Sequence, residues 1–263
     1  MAATSSPLLS SLLLLLLVLF QSSPSAANEG NVLLTDDILS TDSQLSNSNA
    51  VFVIQNDCNL VLYNGGKGFH ANTHGAGVNC ILTLNKLGQL IIKSGDGTVV
   101  WATPEGPLGR YAAVLLPNGE VGIFGPRVWT TPEVWINNSV VDAEKFSSAP
   151  SDQNLMLSSQ VVNDGEKLTT TDYTFTVGTD CDVTLTKATG NSVSWRSMTS
   201  GRGDHCYVRL NFHGQLSVLN DLNRVLWMSN RPHAAGFYVL VLQTDGVAAI
   251  YGPLLWSTAY FVV

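Results

Sequence analysis

Charged residues are scarce in this chain, and the charge it does carry is mostly negative. Lys, Arg, Asp and Glu make up 13% of the 263 residues, and the net charge is −7 at pH 7. In an average soluble domain about a quarter of the residues are charged. Nucleic-acid-binding proteins neutralise phosphate with clustered Lys and Arg. The composition therefore argues against nucleic acid as a partner.

Sustained helical periodicity and long apolar runs are also missing from the body of the chain. After residue 30, no segment keeps a helical repeat and no apolar run is long enough to span a bilayer. Short runs of alternating polar and apolar residues, rich in Val, Thr and Leu, follow one another, and the chain holds 23 Gly. The sequence predicts an all-β protein without a membrane span.

The first 27 residues differ from the rest. Leu8 to Phe20 is an apolar run too short to cross a bilayer comfortably, and small residues at Ser25 and Ala27 suit a cleavage site. We interpret residues 1–27 as a signal peptide, although its start has no basic residue. The mature protein would then enter the secretory pathway and be extracellular or vacuolar.

Only four cysteines are present, and none forms a Cys-x-x-Cys pair, which argues against a zinc or redox site. In a secreted chain four cysteines are typical of two disulfides, for which three pairings exist. His70 and His74 lie four residues apart, but no helix or adjacent carboxylate supports a metal site. We interpret them as surface loop residues and expect no metal or cofactor.

Turn pairs recur along the chain at intervals of roughly 30 residues, apart from one gap of about twice that length. An aromatic residue follows each hairpin. The turn pairs are Asp57-Cys58, Leu87-Gly88, Asn118-Gly119, Asp180-Cys181, His213-Gly214 and Asp245-Gly246, and the aromatic residues are Phe69, Trp101, Trp129, Trp195, Trp227 and Trp256. The chain is thus a tandem duplication of a triplet, and one aromatic residue from each unit can fill the middle of a three-sided body. Bridges Cys58–Cys80 and Cys181–Cys206 then each stay within one repeat.

The two triplets are separated by a stretch rich in Pro, Ser and Asn. We place a signal peptide at 1–27, a first domain at 28–131, a linker at 132–152 and a second domain at 153–263. Asn137 begins the glycosylation sequon Asn-Asn-Ser. As a further hypothesis, the tail Thr258 to Val263 pairs with another unit as an exchanged strand.

One hairpin carries a distinctive set of polar residues. Between residues 55 and 63, polar groups alternate with apolar ones around the turn Asn56 to Cys58. The bend brings the side chains that face outward close together. These side chains are Gln55, Asp57, Asn59, Val61 and Tyr63, and the scaffold residues between them are Cys58, Leu60 and Leu62.

This nine-residue pattern, inside repeats with one disulfide per triplet, resembles the monocot mannose-binding lectins, the bulb-type family that includes snowdrop lectin. The resemblance covers both halves of the chain. It implies two tandem β-prism II domains, each built from three pseudo-threefold-related antiparallel sheets, and a mannose site without metal. It also implies that Asp57 and Asn59 bind the axial 2-hydroxyl, Gln55 the 3-hydroxyl region and Tyr63 the 4-hydroxyl, while Val61 packs on ring carbons.

The other five hairpins depart from this pattern. The last one keeps three of the five residues, Gln243, Asp245 and Tyr251, and is a candidate for a weak remnant site. The sequence thus predicts a lectin for mannose or high-mannose glycans and the glycoproteins that carry them, active in plant defence or storage. It would need homo- or hetero-oligomers to agglutinate. The alternative is a storage or structural homologue with vestigial sites. A glycosidase would need a second carboxylate near Asp57, and therefore we predict no enzyme activity.

Overall fold

A computed structural model describes residues 30–66, 68–132, 147–148 and 153–260 of the chain. Residues 1–27, the sequon at Asn137, most of the predicted linker and residues 261–263 lie outside the described residues. Within those ranges the chain is β-strand, turn and loop, apart from one 3-10 helix at Thr258–Tyr260. No helix among the described residues is long and apolar enough to cross a membrane.

The strands are numbered in chain order. The first half contains β1 (Val32–Leu34), β2 (Ile38–Leu39), β3 (Gln44–Ser46), β4 (Val51–Ile54), β5 (Leu60–Tyr63), β6 (Phe69–His70), β7 (Ile81–Leu84), β8 (Leu90–Lys93), β9 (Val99–Ala102), β10 (Ala112–Leu115), β11 (Val121–Phe124) and β12 (Arg127–Thr130). The second half contains β13 (Ser147–Ser148), β14 (Leu155–Leu157), β15 (Gln160–Asn163), β16 (Lys167–Thr169), β17 (Tyr173–Val177), β18 (Val183–Lys187), β19 (Val193–Arg196), β20 (Tyr207–Leu210), β21 (Leu216–Leu219), β22 (Val225–Met228), β23 (Val239–Leu242), β24 (Ala248–Tyr251) and β25 (Leu254–Ser257).

Three sheets enclose a core in each half, which confirms the predicted all-β class and the paired prisms. The first prism consists of the sheets β3-β4-β5-β6, β2-β7-β8-β9 and β1-β10-β11-β25. The second prism consists of the sheets β16-β17-β18-β19, β13-β15-β20-β21-β22 and β12-β24-β23-β14. The pairings are antiparallel except that β13 runs parallel to β15. Alternate side chains of β4 and β5, such as Phe52, Ile54 and Leu62, are at most 1% exposed because they line the first core.

The hairpin turns follow one backbone design. The second residue of every predicted turn pair has a positive φ, namely Cys58 70°, Gly88 71°, Gly119 82°, Cys181 72°, Gly214 68° and Gly246 84°. In the first hairpin the Cys58 N–H donates to the Gln55 carbonyl at 2.9 Å, which closes the turn. Gly88 is required at its position, since a Cβ there would lie 2.6 Å from the Tyr111 ring.

Two disulfides hold the first hairpin of each prism to the residue just before a later strand, β7 in the first prism and β20 in the second. Cys58 is bonded to Cys80 and Cys181 to Cys206, with Cα–Cα distances of 5.3 and 5.2 Å. Both predicted pairings are confirmed. Each bridge contributes roughly 3 kcal/mol in the chain-entropy model, which offsets the cost of a cysteine in the left-handed region.

The two prisms exchange their last strands. Strand β12 pairs with β24 of the second prism, and β25 pairs with β11 of the first. The expectation that each triplet supplies its own aromatic trio is therefore corrected. Trp256 packs on Phe69 and Trp101 in the first prism, at ring-centroid distances of 5.7 and 6.3 Å. Trp129 packs on Trp195 and Trp227 in the second prism, at 6.1 and 5.8 Å.

The strand exchanged near the C-terminus is β25, within one chain, and Thr258–Tyr260 forms the 3-10 helix where the predicted tail strand would begin. The hypothesis that the tail Thr258 to Val263 pairs with another unit stays a prediction, because residues 261–263 lie outside the described residues. The sheets that contain β11 and β24 pack against each other, so a last strand can reach either one. Because the two strands are exchanged for each other, both sheets keep four strands, and each sheet now contains a strand from the other half of the chain. The domain limits of 28–131 and 153–263 remain predictions along the chain.

The prisms meet through an apolar layer. Strands β10, β11, β23 and β24 are buried on both faces, because one face lines a prism core and the other faces the opposite prism. Val114 and Phe124 of the first prism and Val241 and Tyr251 of the second belong to this layer. At its edge the Asn31 and Asn154 amides exchange hydrogen bonds of 3.0 and 3.3 Å.

Candidate functional site

The first hairpin places the five predicted site residues on its outward side. Leu60 and Leu62 are at most 1% exposed, whereas Tyr63 on the same strand is 54% exposed. The side chains before Tyr63 in the set are half-buried. This difference follows from strand alternation, because successive side chains of β5 point to opposite faces. The predicted strand–turn–strand arrangement is confirmed.

Gln55 and Tyr63 hold each other at one end of the set. The Gln55 Nε2 donates to the Tyr63 hydroxyl at 3.0 Å. The phenol hydrogen and the Gln55 Oε1 are then left to pair with a ligand. The register of β4 and β5 sets Tyr63 opposite Val51 and not opposite Gln55. The two long side chains therefore meet by reaching towards each other along the same face of the hairpin.

Asp57 has both carboxylate oxygens hydrogen-bonded. Its Oδ1 accepts the Asn59 backbone N–H at 2.8 Å, and its Oδ2 lies 2.7 Å from the Nδ1 of His74. The His74 hydrogen bond is the largest cause that lowers the pKa of the Asp57 carboxyl from 3.8, and the Asn59 N–H lowers it further. The group is therefore an ionised, acceptor-only site at neutral pH. Because a carboxylate can only accept, His74 Nδ1 carries the shared hydrogen.

Asn59 is oriented by the loop that follows β6. Its Oδ1 accepts the Thr73 backbone N–H at 3.1 Å, and the Thr73 hydroxyl donates to the Cys58 carbonyl at 2.7 Å. The Asn59 amide nitrogen bonds to none of the described residues. It is consequently free to donate to a ligand, next to the acceptor on Asp57.

Together these groups form a shallow surface with defined polarity. Asp57 offers acceptors, Asn59 offers donors, and Gln55 with Tyr63 offers both, while Val61 lies half-buried between them. Such a set matches a polyhydroxylated ligand that has one weakly apolar C–H face. A group of three or more His, Cys, Asp or Glu that could hold a metal is absent from the described ranges.

The remnant site in the last hairpin has a different environment. Gln243 Nε2 donates to the Tyr251 hydroxyl at 3.0 Å, which repeats the Gln55–Tyr63 contact. Here, however, the pair is 7% and 2% exposed, because it lies against the other prism. Burial also raises the pKa of the Tyr251 hydroxyl. Of the three predicted residues only Asp245 is exposed, and a sugar ring cannot reach the other two in this arrangement.

Other hairpins use their polar residues internally. Asn85 donates to Gln89 at 3.0 Å, and the same contact recurs between Asn211 and Gln215 at 3.2 Å. In the first hairpin of the second prism, Asp182 accepts from the Ser197 hydroxyl and is 5% exposed. These polar groups stabilise turns through hydrogen bonds within the protein.

The motif did not reveal His74, which the sequence placed among surface loop residues. Seventeen residues separate it from Asp57 in the chain. No periodicity connects the two residues, and only the return of the loop after β6 brings them together. The interpretation of His70 as a loop residue is corrected, because it belongs to strand β6. It is exposed and pairs with Val61 of β5, so it borders the same face.

The known proteins that this chain resembles are lectins. No protein-family model matches the chain. Mannose-specific lectin 2 of Crocus vernus is 47% identical over 235 residues, which are 88% of this chain and 88% of that protein. Mannose-specific lectin 2 of Colocasia esculenta is 40% identical over 230 residues, which are 87% of this chain and 85% of that protein.

A solved structure extends the comparison to the paired prisms. The native fetuin-binding agglutinin of Scilla campanulata, a two-domain lectin, superposes with a TM-score of 0.75 at 30% sequence identity. The match covers 86% of this chain and 99% of the Scilla chain. The likeness therefore includes both prisms.

Proposed function

The chain belongs to the monocot mannose-specific lectins, a family of binding proteins and not of enzymes, and on that premise we propose that it binds mannose-containing glycans at the first hairpin. One observation carries the proposal. Gln55, Asp57, Asn59, Val61 and Tyr63 all lie on the outward side of a single turn, where the polar atoms left over by internal bonding face solvent.

We assign each residue the role that the family resemblance implies. Asp57 accepts from the axial 2-hydroxyl, and Asn59 donates to the same oxygen. Gln55 serves the 3-hydroxyl region, Tyr63 the 4-hydroxyl, and Val61 packs on the ring carbons. A sugar with an equatorial 2-hydroxyl would leave Asp57 and Asn59 without partners, and an unpaired polar group at a contact surface costs about 1–3 kcal/mol. This cost is the physical basis for selecting mannose.

The proposed site binds weakly by itself, with a dissociation constant on the order of millimolar, because it is shallow and offers few contacts. Useful strength then comes from several copies engaging one glycoprotein particle, as multivalent binding raises avidity without new contacts. We propose that oligomers of the chain provide these copies. The two disulfides suit the secretory route that the N-terminal segment predicts.

A storage or structural role without sugar binding is the second candidate. It draws support from the burial of the Gln243–Tyr251 pair and from the internal hydrogen bonds of the other hairpins. Both candidates predict the same fold and differ only in whether the first hairpin takes up sugar. A single binding measurement therefore separates them.

The test is calorimetric titration of the protein from residue 28 onward with methyl α-mannoside and with the matching glucoside and galactoside. We expect binding of the mannoside only. Asp57→Asn should abolish it, because the acceptor-only carboxylate is lost. The matched control is Asp245→Asn, which changes the equivalent residue of the last hairpin and should leave the affinity unchanged. If the wild type binds none of the sugars, the storage role stands instead.

A further inference from the structure

The loop after β6 is fastened to the turn that carries the proposed sugar site. The Gly75 N–H donates to the Asp57 carbonyl at 2.8 Å. Thr73 adds two bonds, from its N–H to the Asn59 Oδ1 at 3.1 Å and from its hydroxyl to the Cys58 carbonyl at 2.7 Å. His74 stands between these anchors, so its backbone has a set position relative to the site.

The His74 side chain is oriented by one of its two nitrogens and leaves the other available. Nδ1 donates to the Asp57 Oδ2, while Nε2 bonds to none of the described residues. The side chain is 80% exposed. A ring held at one nitrogen and open at the other is suited to contact a second group beyond Asp57.

Holding the turn does not require a histidine. Asp245 Oδ1 accepts the Val247 N–H at 3.0 Å, as Asp57 Oδ1 does with Asn59, and no histidine is involved there. In the second prism the Ser200 hydroxyl contacts the Asp180 Oδ2 at 2.7 Å and carries no further polar group. The fold therefore does not need a histidine at this position, because the equivalent turns form with a serine hydroxyl or with no such partner. The imidazole of His74 adds a polar atom that extends beyond the Asp57 carboxylate.

The position of His74 also determines which part of a bound sugar its Nε2 would face. Gln55 and Tyr63 bond to each other and define the end of the site assigned to the 3- and 4-hydroxyls. His74 bonds to Asp57 alone among the described site residues, at the end assigned to the 2-hydroxyl. In a mannose ring the carbon next to C2, on the side away from C3, is C1. A sugar linked through that carbon leaves the site beside His74.

We propose that His74 is a specificity-determining residue that contacts the second residue of an oligomannoside whose terminal mannose occupies the site at Asp57. The inference rests on the proposed function. The preferred ligand class is a terminal mannose with a free 2-hydroxyl, linked through its C1 to another mannose. Hydroxyls both donate and accept, so Nε2 can pair with the second sugar in either protonation state of the imidazole.

The experiment compares two ligands by calorimetry, methyl α-mannoside and an α-linked dimannoside. For the wild type we expect the dimannoside to bind about three- to tenfold more tightly, the range of one added hydrogen bond. His74→Ala should remove most of that preference and change the monosaccharide affinity by no more than about twofold. His74→Gln keeps a polar group near the position of Nε2 and should restore part of the preference.

The matched control is His205→Ala. His205 is an equally exposed histidine, 82% exposed, with its Nδ1 3.4 Å from an Asp164 oxygen in the second prism. Its loss should leave both affinities unchanged. An unchanged preference in His74→Ala overturns the inference, as does an equal loss for both ligands, which would mean that His74 acts only through Asp57. If the wild type binds neither ligand, the proposed function itself fails, and the two failures are thus distinguished.

Discussion

Removing the Trp256 side chain should destabilise the first prism, although the residue lies at the end of the second half of the chain. Trp256 is 7% exposed and packs edge-on against Phe69 and Trp101 at 5.7 and 6.3 Å. Truncating a buried tryptophan to alanine costs about 3–5 kcal/mol. Every 1.4 kcal/mol is a factor of ten, so the equilibrium constant for opening should rise roughly 10²- to 10³-fold or more.

Hydrogen exchange followed by mass spectrometry resolves where that opening occurs. In Trp256→Ala, amides of β4, β5, β7 and β8 should exchange faster, while those of β17 and β18 should change little. Trp129→Ala should give the reverse pattern, because Trp129 packs on Trp195 and Trp227. Leu255→Ala is the control on the same strand, since that side chain is 38% exposed and its loss costs about 1 kcal/mol.

The result that would refute the reasoning is faster exchange in β17 and β18 for Trp256→Ala with β4 and β5 unaffected. That pattern would mean that each triplet keeps its own last strand. Equal increases in both prisms for both variants would contradict the predicted local effect, since they would show that the two prisms open as a single cooperative unit.

Two further predictions concern a turn and the site. Gly88→Ala should lower stability by about 2–5 kcal/mol, because it combines a strained φ of 71° with a Cβ placed 2.6 Å from a buried tyrosine ring. Gly97→Ala, at φ 88° with open space around it, should cost only the strain, and equal shifts of the two urea midpoints would be inconsistent with this account. Because the pKa of Asp57 is lowered from 3.8, mannoside binding should persist as the pH falls and be lost with a midpoint below 3.8. In His74→Ala that midpoint should move up towards 3.8, and a wild-type midpoint above 3.8 in a titration series would speak against the hydrogen bond as the cause.

The contribution of Asp57 to the stability of the first hairpin should also be lost at low pH, as sugar binding is. A carboxyl whose pKa is lower in the folded state contributes stability that is fully present above its unfolded value and is lost as the pH falls through the folded one. Asp57 therefore favours the folded turn throughout the neutral range. Its side chain is 31% exposed, which keeps the contribution modest because solvent screens the charge.

The fold could be predicted in detail from local signals. Alternation along Val51 to Tyr63, the repeated turn pairs and the placement of the cysteines all depend on neighbours in sequence. Strand faces have a period of two, and a left-handed turn position selects Gly or a tethered Cys, so these features can be inferred without tertiary contacts. The same alternation identified Gln55, Asp57, Asn59, Val61 and Tyr63 as the residues that face outward.

The candidate site was less complete when inferred from sequence. His74 reaches Asp57 only because the loop after β6 folds back over the turn. Gln243 and Tyr251 match the motif by spacing, and yet they are buried, since their sheet faces the other prism. No sequence pattern predicts the His74–Asp57 contact or the burial of Gln243 and Tyr251, because both depend on which surfaces meet after the strands have formed.

The amino-acid sequence by itself determined the local elements of this protein: six hairpins, two disulfides and one intact set of outward polar residues. Each of these depends on propensities and alternation within about 30 residues. Only the tertiary structure decided that Trp129 packs in the second prism and Trp256 in the first. It also decided that Gln243 and Tyr251 of the last hairpin are buried and that His74 contacts Asp57 of the first hairpin. The physical reason is that β12 and β25 occupy equivalent places in the repeat, so local sequence does not say which prism each strand completes, and the packing of whole sheets does.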